Sequence, residues 1–363
     1  MKKRASQPVP ARPEFCFVKE LQGENPPAFS AMESLYRSAT ELFVLQPWTF
    51  LEDSDPIAVR DSVSGELCYC SVMGALGEVF SMHAYIGPQS FRLYRAVAEK
   101  QMADPLEFLA NLHSVNVEFV PRNELEREDR DLLSWLGHPQ GRGVACPMFR
   151  ASRPGYHPWF VTAEEAQTLD KCIRATMVVA RAILEGKRGT KFWSRADHYP
   201  LVTLTSEGEA RIESIKSVPP AEPPLPPARL NEETVRQLRA HDYRVGGAIE
   251  LDYMQTGAPV GKKNERKACT CIGIGADARS GLLYPPEVTD SSVPAGDSLA
   301  RVFAAAVKAT GALPSRVTVR NDRLKQSLNS LLESFGVEVR VAVKLPAVDE
   351  ARNHLMAFLR GDI

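Results

Sequence analysis

Three acids in the C-terminal third carry the most specific chemistry in the sequence. Asp252 lies in Ala248–Met254, a strand candidate in which it shares a face with Glu250, while Ile249, Leu251 and Tyr253 take the other face. Asp322 follows a second strand candidate, Arg316–Val319, at a strand-to-helix junction. Glu350 falls in the first turn of the helix expected over Ala347–Leu359. If the two strands are neighbours, Asp252, Asp322 and Glu350 meet at one rim. Such a triplet can hold two Mg2+ or Mn2+ ions about 4 Å apart, activating a water and stabilising the leaving oxygen in phosphodiester cleavage. Each acid also has a structural reading. Asn321 or Asp322 suits the N-cap of a helix starting at Leu324, and Asp349 and Glu350 suit the positive end of the last helix. Asp252 resists that reading, because a central strand buried on both faces seldom carries an acid.

A second cluster lies in Phe149-Arg-Ala-Ser-Arg-Pro-Gly-Tyr-His-Pro-Trp-Phe160. Arginine and aromatic side chains are the usual anchors of binding hot spots. Arg150, Arg153, Tyr156, His157 and Trp159 are therefore the candidate binding residues, with a protein as the expected partner. The same residue types also fill ordinary cores and turns, and one histidine alone does not indicate a metal.

Several near-motifs lack an essential part. Gly257-Ala-Pro-Val-Gly-Lys-Lys263 has three residues between its glycines where a phosphate-binding loop needs four, and no Ser or Thr follows; a basic hairpin loop is expected instead. Gly273-Ile-Gly-Ala-Asp-Ala278 follows a strand but opens no helix, so a β-turn is expected there. Gly296-Asp-Ser-Leu299 resembles the opening block of a serine hydrolase family, but the late Asp-x-x-His of that family is missing, and helix capping by Asp297 or Ser298 is the expectation. Cys68/Cys70 and Cys269/Cys271 are spaced i, i+2, which suits small buried strand residues rather than the usual zinc spacing.

The elements around these residues divide at Val218-Pro-Pro-Ala-Glu-Pro-Pro-Leu-Pro-Pro-Ala228, whose proline density predicts an extended polyproline II linker. Residues 1–14 read as a flexible tail, 15–217 as an α+β domain and 229–363 as an α/β domain. In the first domain, Pro56–Arg60 and Leu67–Met73 form a hairpin through Asp61–Gly65. A strand at Val79–Ile86 and a helix over Gln89–Lys100 follow. Thr162-Ala-Glu-Glu165 is a capping box opening an amphipathic helix, and a hairpin turning through Ser206–Glu209 closes the domain. In the second domain, strands at Ala248–Met254, Ala268–Ile274 and Leu282–Tyr284 lead into two helix–strand units and a final helix. This order predicts an antiparallel meander continued by parallel pairing.

Bulk composition is that of a globular chain, with 44% hydrophobic and 25% charged residues and a net charge of −1. Residues 229–363 hold 19 Lys+Arg against 16 Asp+Glu, too mild an excess for a nucleic-acid footprint. No transmembrane segment is expected, and the Met-Lys-Lys-Arg start lacks the apolar stretch of a signal peptide. Seven scattered cysteines fit a reducing cytoplasm.

The element order of residues 248–359, with Asp252 on its first strand, Asp322 after its fourth and Glu350 on its last helix, resembles the RNase H-like core of integrases and transposases. That resemblance implies an RNase H-like fold and a metal-dependent nuclease or strand-transfer activity. The sequence departs from it in the Arg323-Leu324 that follows Asp322, in a short gap to Glu350 and in the lack of a basic face. Across its length the chain also resembles an uncharacterised bacterial two-domain family. The resemblance rests on Asp55-Pro-Ile-Ala-Val-Arg-Asp61, Gly65-Glu-Leu-Cys-Tyr-Cys-Ser-Val-Met-Gly74, Phe149–Trp159 and Leu345-Pro-Ala-Val-Asp-Glu-Ala351. It implies no activity. The reading favoured is a cofactor-free binding or scaffold protein with a degenerate RNase H-like domain; the alternative is a Mg2+- or Mn2+-dependent nuclease.

Overall fold

A computed structural model describes residues 11–60, 65–99, 108, 111–139, 144–186, 197–204 and 210–360. Most of the expected tail, the hairpin turns at 61–64 and 206–209, and Lys100 lie outside the described residues. The chain divides into two mixed α/β units. One comprises Met1–Ala221 with Gly261–Lys267, the other Glu222–Val260 with Ala268–Ile363.

The first unit runs α1 (Phe29–Leu45), β1 (Ile57–Arg60), β2 (Leu67–Met73), β3 (Phe80–Ile86), α2 (Gly87–Ala98), β4 (Ser114–Pro121), α3 (Arg127–Trp135), β5 (Ala145–Ser152), α4 (Ala163–Leu184), β6 (His198–Leu204) and β7 (Ala210–Lys216). Its seven strands form one sheet in the order β5-β4-β3-β2-β1-β6-β7, antiparallel except for the β1–β6 pair. Val59, Cys70, Val72, Met82, Ala84, Val115, Val117 and Phe149 meet Leu35, Leu42, Leu169 and Ile173 of α1 and α4 in the main core. Alternate strand residues point one way, so this single apolar face follows from the period-2 pattern. The capping box forms as expected: Thr162 Oγ1 accepts the Glu165 amide at 3.4 Å, and Glu165 accepts the Thr162 amide at 2.8 Å.

The second unit runs α5 (Glu232–Ala240), β8 (Arg244–Val245), β9 (Ala248–Val260), β10 (Ala268–Asp277), β11 (Glu287–Asp290), α6 (Ala295–Thr310), β12 (Ala312–Leu313), β13 (Arg316–Val319), α7 (Asp322–Glu333), β14 (Glu338–Val341) and α8 (Pro346–Arg360). The main sheet has the order β11-β10-β9-β13-β14, antiparallel from β11 to β9 and parallel from β9 to β14. Ile249, Leu251, Val317, Val319 and Val339 face Leu299, Phe303 and Leu328 of α6 and α7. On the opposite face Met254, Ile272 and Ile274 meet Leu345 and Val348 at the start of α8.

Three expectations are corrected by the structure. Gly273 and Gly275 sit inside β10, not in a turn, because they let α6 approach the sheet. A Cβ on Gly273 would lie 2.6 Å from Ser298 Oγ, and one on Gly275 2.7 Å from Val302 Cγ1. The turn comes later, where Asp277 Oδ1 accepts the Ser280 amide at 2.7 Å. Leu282–Tyr284 makes only an isolated bridge, Ala276 to Leu283, and the third strand is β11. Neither Asp297 nor Ser298 caps α6: its N-cap is Pro294, Asp297 accepts the Arg229 amide at 2.7 Å, and Ser298 is fully buried under β10. From Glu222 onward the proline-rich stretch belongs to this unit and is hydrogen-bonded to α7. Ala228 donates to Ser327 O at 2.8 Å, Ser327 Oγ to Pro226 O at 2.6 Å, and Arg323 Nε to Pro223 O at 3.0 Å. Side chains of α7 thus reach two carbonyls of the stretch, those of Pro223 and Pro226.

Candidate functional site

Asp252 sits at the centre of the second unit's sheet, on the face that α8 covers, and is 2% exposed. Glu250, two residues earlier on the same face, accepts the Ala347 and Val348 amides at 3.0 and 3.2 Å. It therefore satisfies the open first turn of α8, where the helix dipole also favours an acid. Strand β13 runs parallel beside β9 with Thr318 opposite Glu250. Two residues further along, Arg320 meets Asp252. Its Nε and Nη2 lie 2.9 and 2.8 Å from Asp252 Oδ2, and Arg352 Nη1 of α8 lies at 3.4 Å. Arg320 also pairs with Asp349 at 2.6 Å and donates to Val343 O at 3.0 Å. Burial raises the Asp349 carboxyl, but hydrogen bonds from Arg320 and the Leu345 amide outweigh it and hold the group below its ordinary range.

This centre is an ion-pair network in which two arginines face the buried acid. Asp322 is exposed in the first turn of α7, whose N-cap is Asn321, with Oδ1 accepting the Leu324 amide at 2.9 Å. Glu350 is exposed in the first turn of α8. Among the described residues, no group of three or more His, Cys, Asp or Glu side chains could hold a metal ion, so Asp252, Asp322 and Glu350 are not brought together as one.

The candidate binding residues of the first unit are mostly engaged internally. Arg150 is buried and grips Asp129 of α3 with two bonds of 2.8 and 2.7 Å. Its guanidinium lies 4.5 Å from the centre of the Phe160 ring. Arg153 pairs with Glu165 at 2.7 Å and Glu24 at 3.2 Å, and Arg266 joins the same two acids at 3.3 and 3.2 Å. Tyr156 donates its amide to Arg153 O at 2.9 Å and so closes a turn. His157 donates its amide to Lys267 O at 2.8 Å, and the Trp159 backbone bridges to Ala151 in both directions. Arginine and aromatic residues here build an edge of the fold.

The sheet of the first unit also carries a buried polar face that no sequence motif marks. Its second face, opposite the main core, presents three cross-strand rows over β2, β3, β4 and β5. They are Met73–Ser81–Glu118–Met148, Ser71–His83–Asn116–Arg150 and Tyr69–Tyr85–Ser114–Ser152. Ser71, Ser81, Ser114, Asn116, Arg150 and Ser152 are all buried. At one side Tyr69 and Tyr85 pack with Phe91 and Tyr94 of α2; at the other, Asp129 of α3 holds Arg150. Ser71 Oγ donates to Asp53 O at 2.7 Å. Among the described residues Ser81 Oγ and Ser114 Oγ have no hydrogen-bond partner. Burial pushes the His83 imidazole down to about 4 and raises the Glu118 carboxyl above its ordinary range. The period-2 alternation of Ser81, His83 and Tyr85 was visible in the sequence, but alternation alone reads as a water-facing side.

Comparison with protein families gives two matches. Residues 33–198 match a family model described as a domain of unknown function (DUF7309), and residues 234–356 match a second domain of unknown function (DUF6930). No curated protein matches the chain. Among the described residues no helix is long and apolar enough to cross a membrane. The two matches fall one after the other along the chain, so it carries two domains similar to families of unknown function.

Proposed function

We propose that this protein is a non-catalytic binding protein whose second unit is an RNase H-like domain without a metal site. The strand order β11-β10-β9-β13-β14, with a buried acid on the central strand, supports the RNase H-like reading. The observation that carries the loss of catalysis is the pairing of Asp252 with Arg320 and Arg352. A metal ion would have to displace a guanidinium already bonded to the carboxylate and leave that cation beside the new charge. The acid thus serves to fix β13 and α8 on the sheet.

Calorimetric titration of Mn2+ into the full chain, beside its Asp252→Asn variant, tests this reading. No binding in the micromolar to sub-millimolar range is expected from either protein, and no Mn2+-dependent cleavage of DNA or RNA. Binding or cleavage by the wild type that disappears in Asp252→Asn would overturn it.

A further inference from the structure

We propose that a cation-lined cavity between α5 and α6 of the second unit is a ligand site, and that it takes a small molecule carrying a phosphate group. The inference goes beyond the reading of the Asp252 centre, whose groups it does not use.

The physical case begins with the spacing along α6. Leu299, Val302, Phe303 and Val307 form its core stripe. Asp297, Arg301, Ala304, Ala305 and Lys308 recur at intervals of three and four residues and so share a second stripe. Two alanines between two long cations leave a hollow in that stripe. Arg229, Asn231 and Thr234, just before α5 and in its first turn, form the facing wall, and the space enclosed is about 500 Å3. That volume is ordinary for a small-molecule site.

The fold holds both walls in place. The Arg229 amide donates to Asp297 Oδ1 at 2.7 Å, which ties the chain before α5 to the first turn of α6. Ala228, one residue earlier, is buried and bonded to Ser327 O at 2.8 Å. Asn231 caps α5 by accepting the Thr234 amide at 2.7 Å. The side chains of Arg229, Asn231, Arg301 and Lys308 are nevertheless exposed, so a solute can reach them.

Charge then selects the ligand class. Arg229, Arg301 and Lys308 line the cavity against one carboxylate, Asp297, whose Oδ1 is already spent on an amide. Among the described residues the Arg229 guanidinium, the Lys308 ammonium and the Thr234 hydroxyl have no partner. Arg301 gives Nη1 to Glu287 at 2.8 Å and keeps the rest of its five-donor fork. Three cations around one hollow focus a positive potential there, and an anion offsets it. A phosphomonoester brings close to two negative charges and three acceptor oxygens, against one charge and two oxygens for a carboxylate, and guanidinium forks bond two such oxygens at once. Arg301 and Lys308 stand about 10 Å apart along the helix axis. The cavity is therefore longer than one phosphate group, with room over Ala304 and Ala305 for the organic part of the ligand. The mild overall charge of residues 229–363 favours such a small anion over a nucleic-acid strand.

The full chain is titrated calorimetrically with pyrophosphate, ribose 5-phosphate, ribose and citrate at about 0.15 M salt, where attraction between distant exposed charges is largely screened. At least one of the two phosphate probes is expected to bind with a Kd below about 1 mM, and ribose not at all. Affinity should fall about tenfold or more in Lys308→Glu and in Arg229→Gln, the loss expected for one charged contact. Both side chains are exposed, and the two substitutions stand on opposite walls, so one remains informative if the other disturbs folding. Lys344→Glu removes an exposed cation outside the cavity and should leave affinity unchanged. No heat from either phosphate probe overturns the proposal, as does undiminished affinity in both cavity variants. An equal loss in Lys344→Glu would reduce the binding to bulk charge and also overturns it. Citrate binding as tightly as the phosphate probes would overturn the phosphate assignment. Mn2+ binding through Asp252 would sink the non-catalytic reading while leaving these outcomes as they are, so the two failures are distinguishable.

Discussion

The Asp252 centre of the second unit and the polar face of the first unit's sheet are both buried, and both depart from an apolar interior. At Asp252 each polar group named has a partner: Arg320 joins Asp252, Asp349 and Val343 O, while Glu250 satisfies two amides of α8. On the sheet face of the first unit, Ser81 and Ser114 remain unmatched among the described residues. A satisfied network rigidifies a fold, whereas a buried polar group without a partner costs it stability. Buried polarity that fastens elements together is thus distinct from buried polarity that stays unpaired.

The largest effect expected belongs to the structural class. Asp129→Asn weakens the two-bond grip on buried Arg150 and leaves only Glu126, at 3.4 Å, to balance its charge beside Phe160. Chemical denaturation should show a loss of about 3–5 kcal/mol. A change under half that size would mean that Arg150 is free to serve a partner, and the division drawn between the two classes would fail there.

A smaller loss is expected where a helix meets a strand. Gly275→Ala places a Cβ 2.7 Å from Val302 Cγ1 and 2.8 Å from Leu251 Cδ2. Such overpacking typically costs about 1–3 kcal/mol. A neutral result would show that α6 can move away from β10, and Asp252 would then sit on a sheet less rigid than described.

The third effect is one of pH. The His83 imidazole titrates at about 4 when folded against an ordinary 6.5, because burial disfavours its cation. The unfolded chain therefore takes up the proton first. The stability His83 confers is complete above pH 6.5 and is lost progressively as pH falls toward 4. Subtracting the stability profile of His83→Gln from that of the wild type should reveal this slope. A flat difference would indicate a solvated imidazole and a wetter face than the one described.

Much of this architecture was readable from residue order. The valines of β14, the Thr162–Glu165 box and a cap at Asn321 or Asp322 each rest on local rules; each element formed, with Asn321 as the cap and the helix opening at Asp322, two residues before Leu324. Asp252 was correctly marked as unusual for a central strand. Whether its partner would be metal or arginine depended on the register that sets Arg320 beside it, and register is a long-range property. Gly273 and Gly275 were misread for a related reason: a glycine that admits a neighbouring helix looks, in sequence, like one that makes a turn. The Ser81–His83–Asn116 face went unseen because strand alternation is the same whether its polar side meets water or lies buried.

The most direct test of the central claim is the sign of the stability change in Asp252→Asn, measured with Arg320→Met and the double variant as a thermodynamic cycle. A structural acid paired with arginine predicts a loss of roughly 3 kcal/mol in Asp252→Asn and strong coupling to Arg320. A metal-binding acid predicts the reverse, since removing like charges gathered for catalysis usually stabilises a fold. Asp252→Asn that is more stable than the wild type and uncoupled from Arg320 would contradict the account.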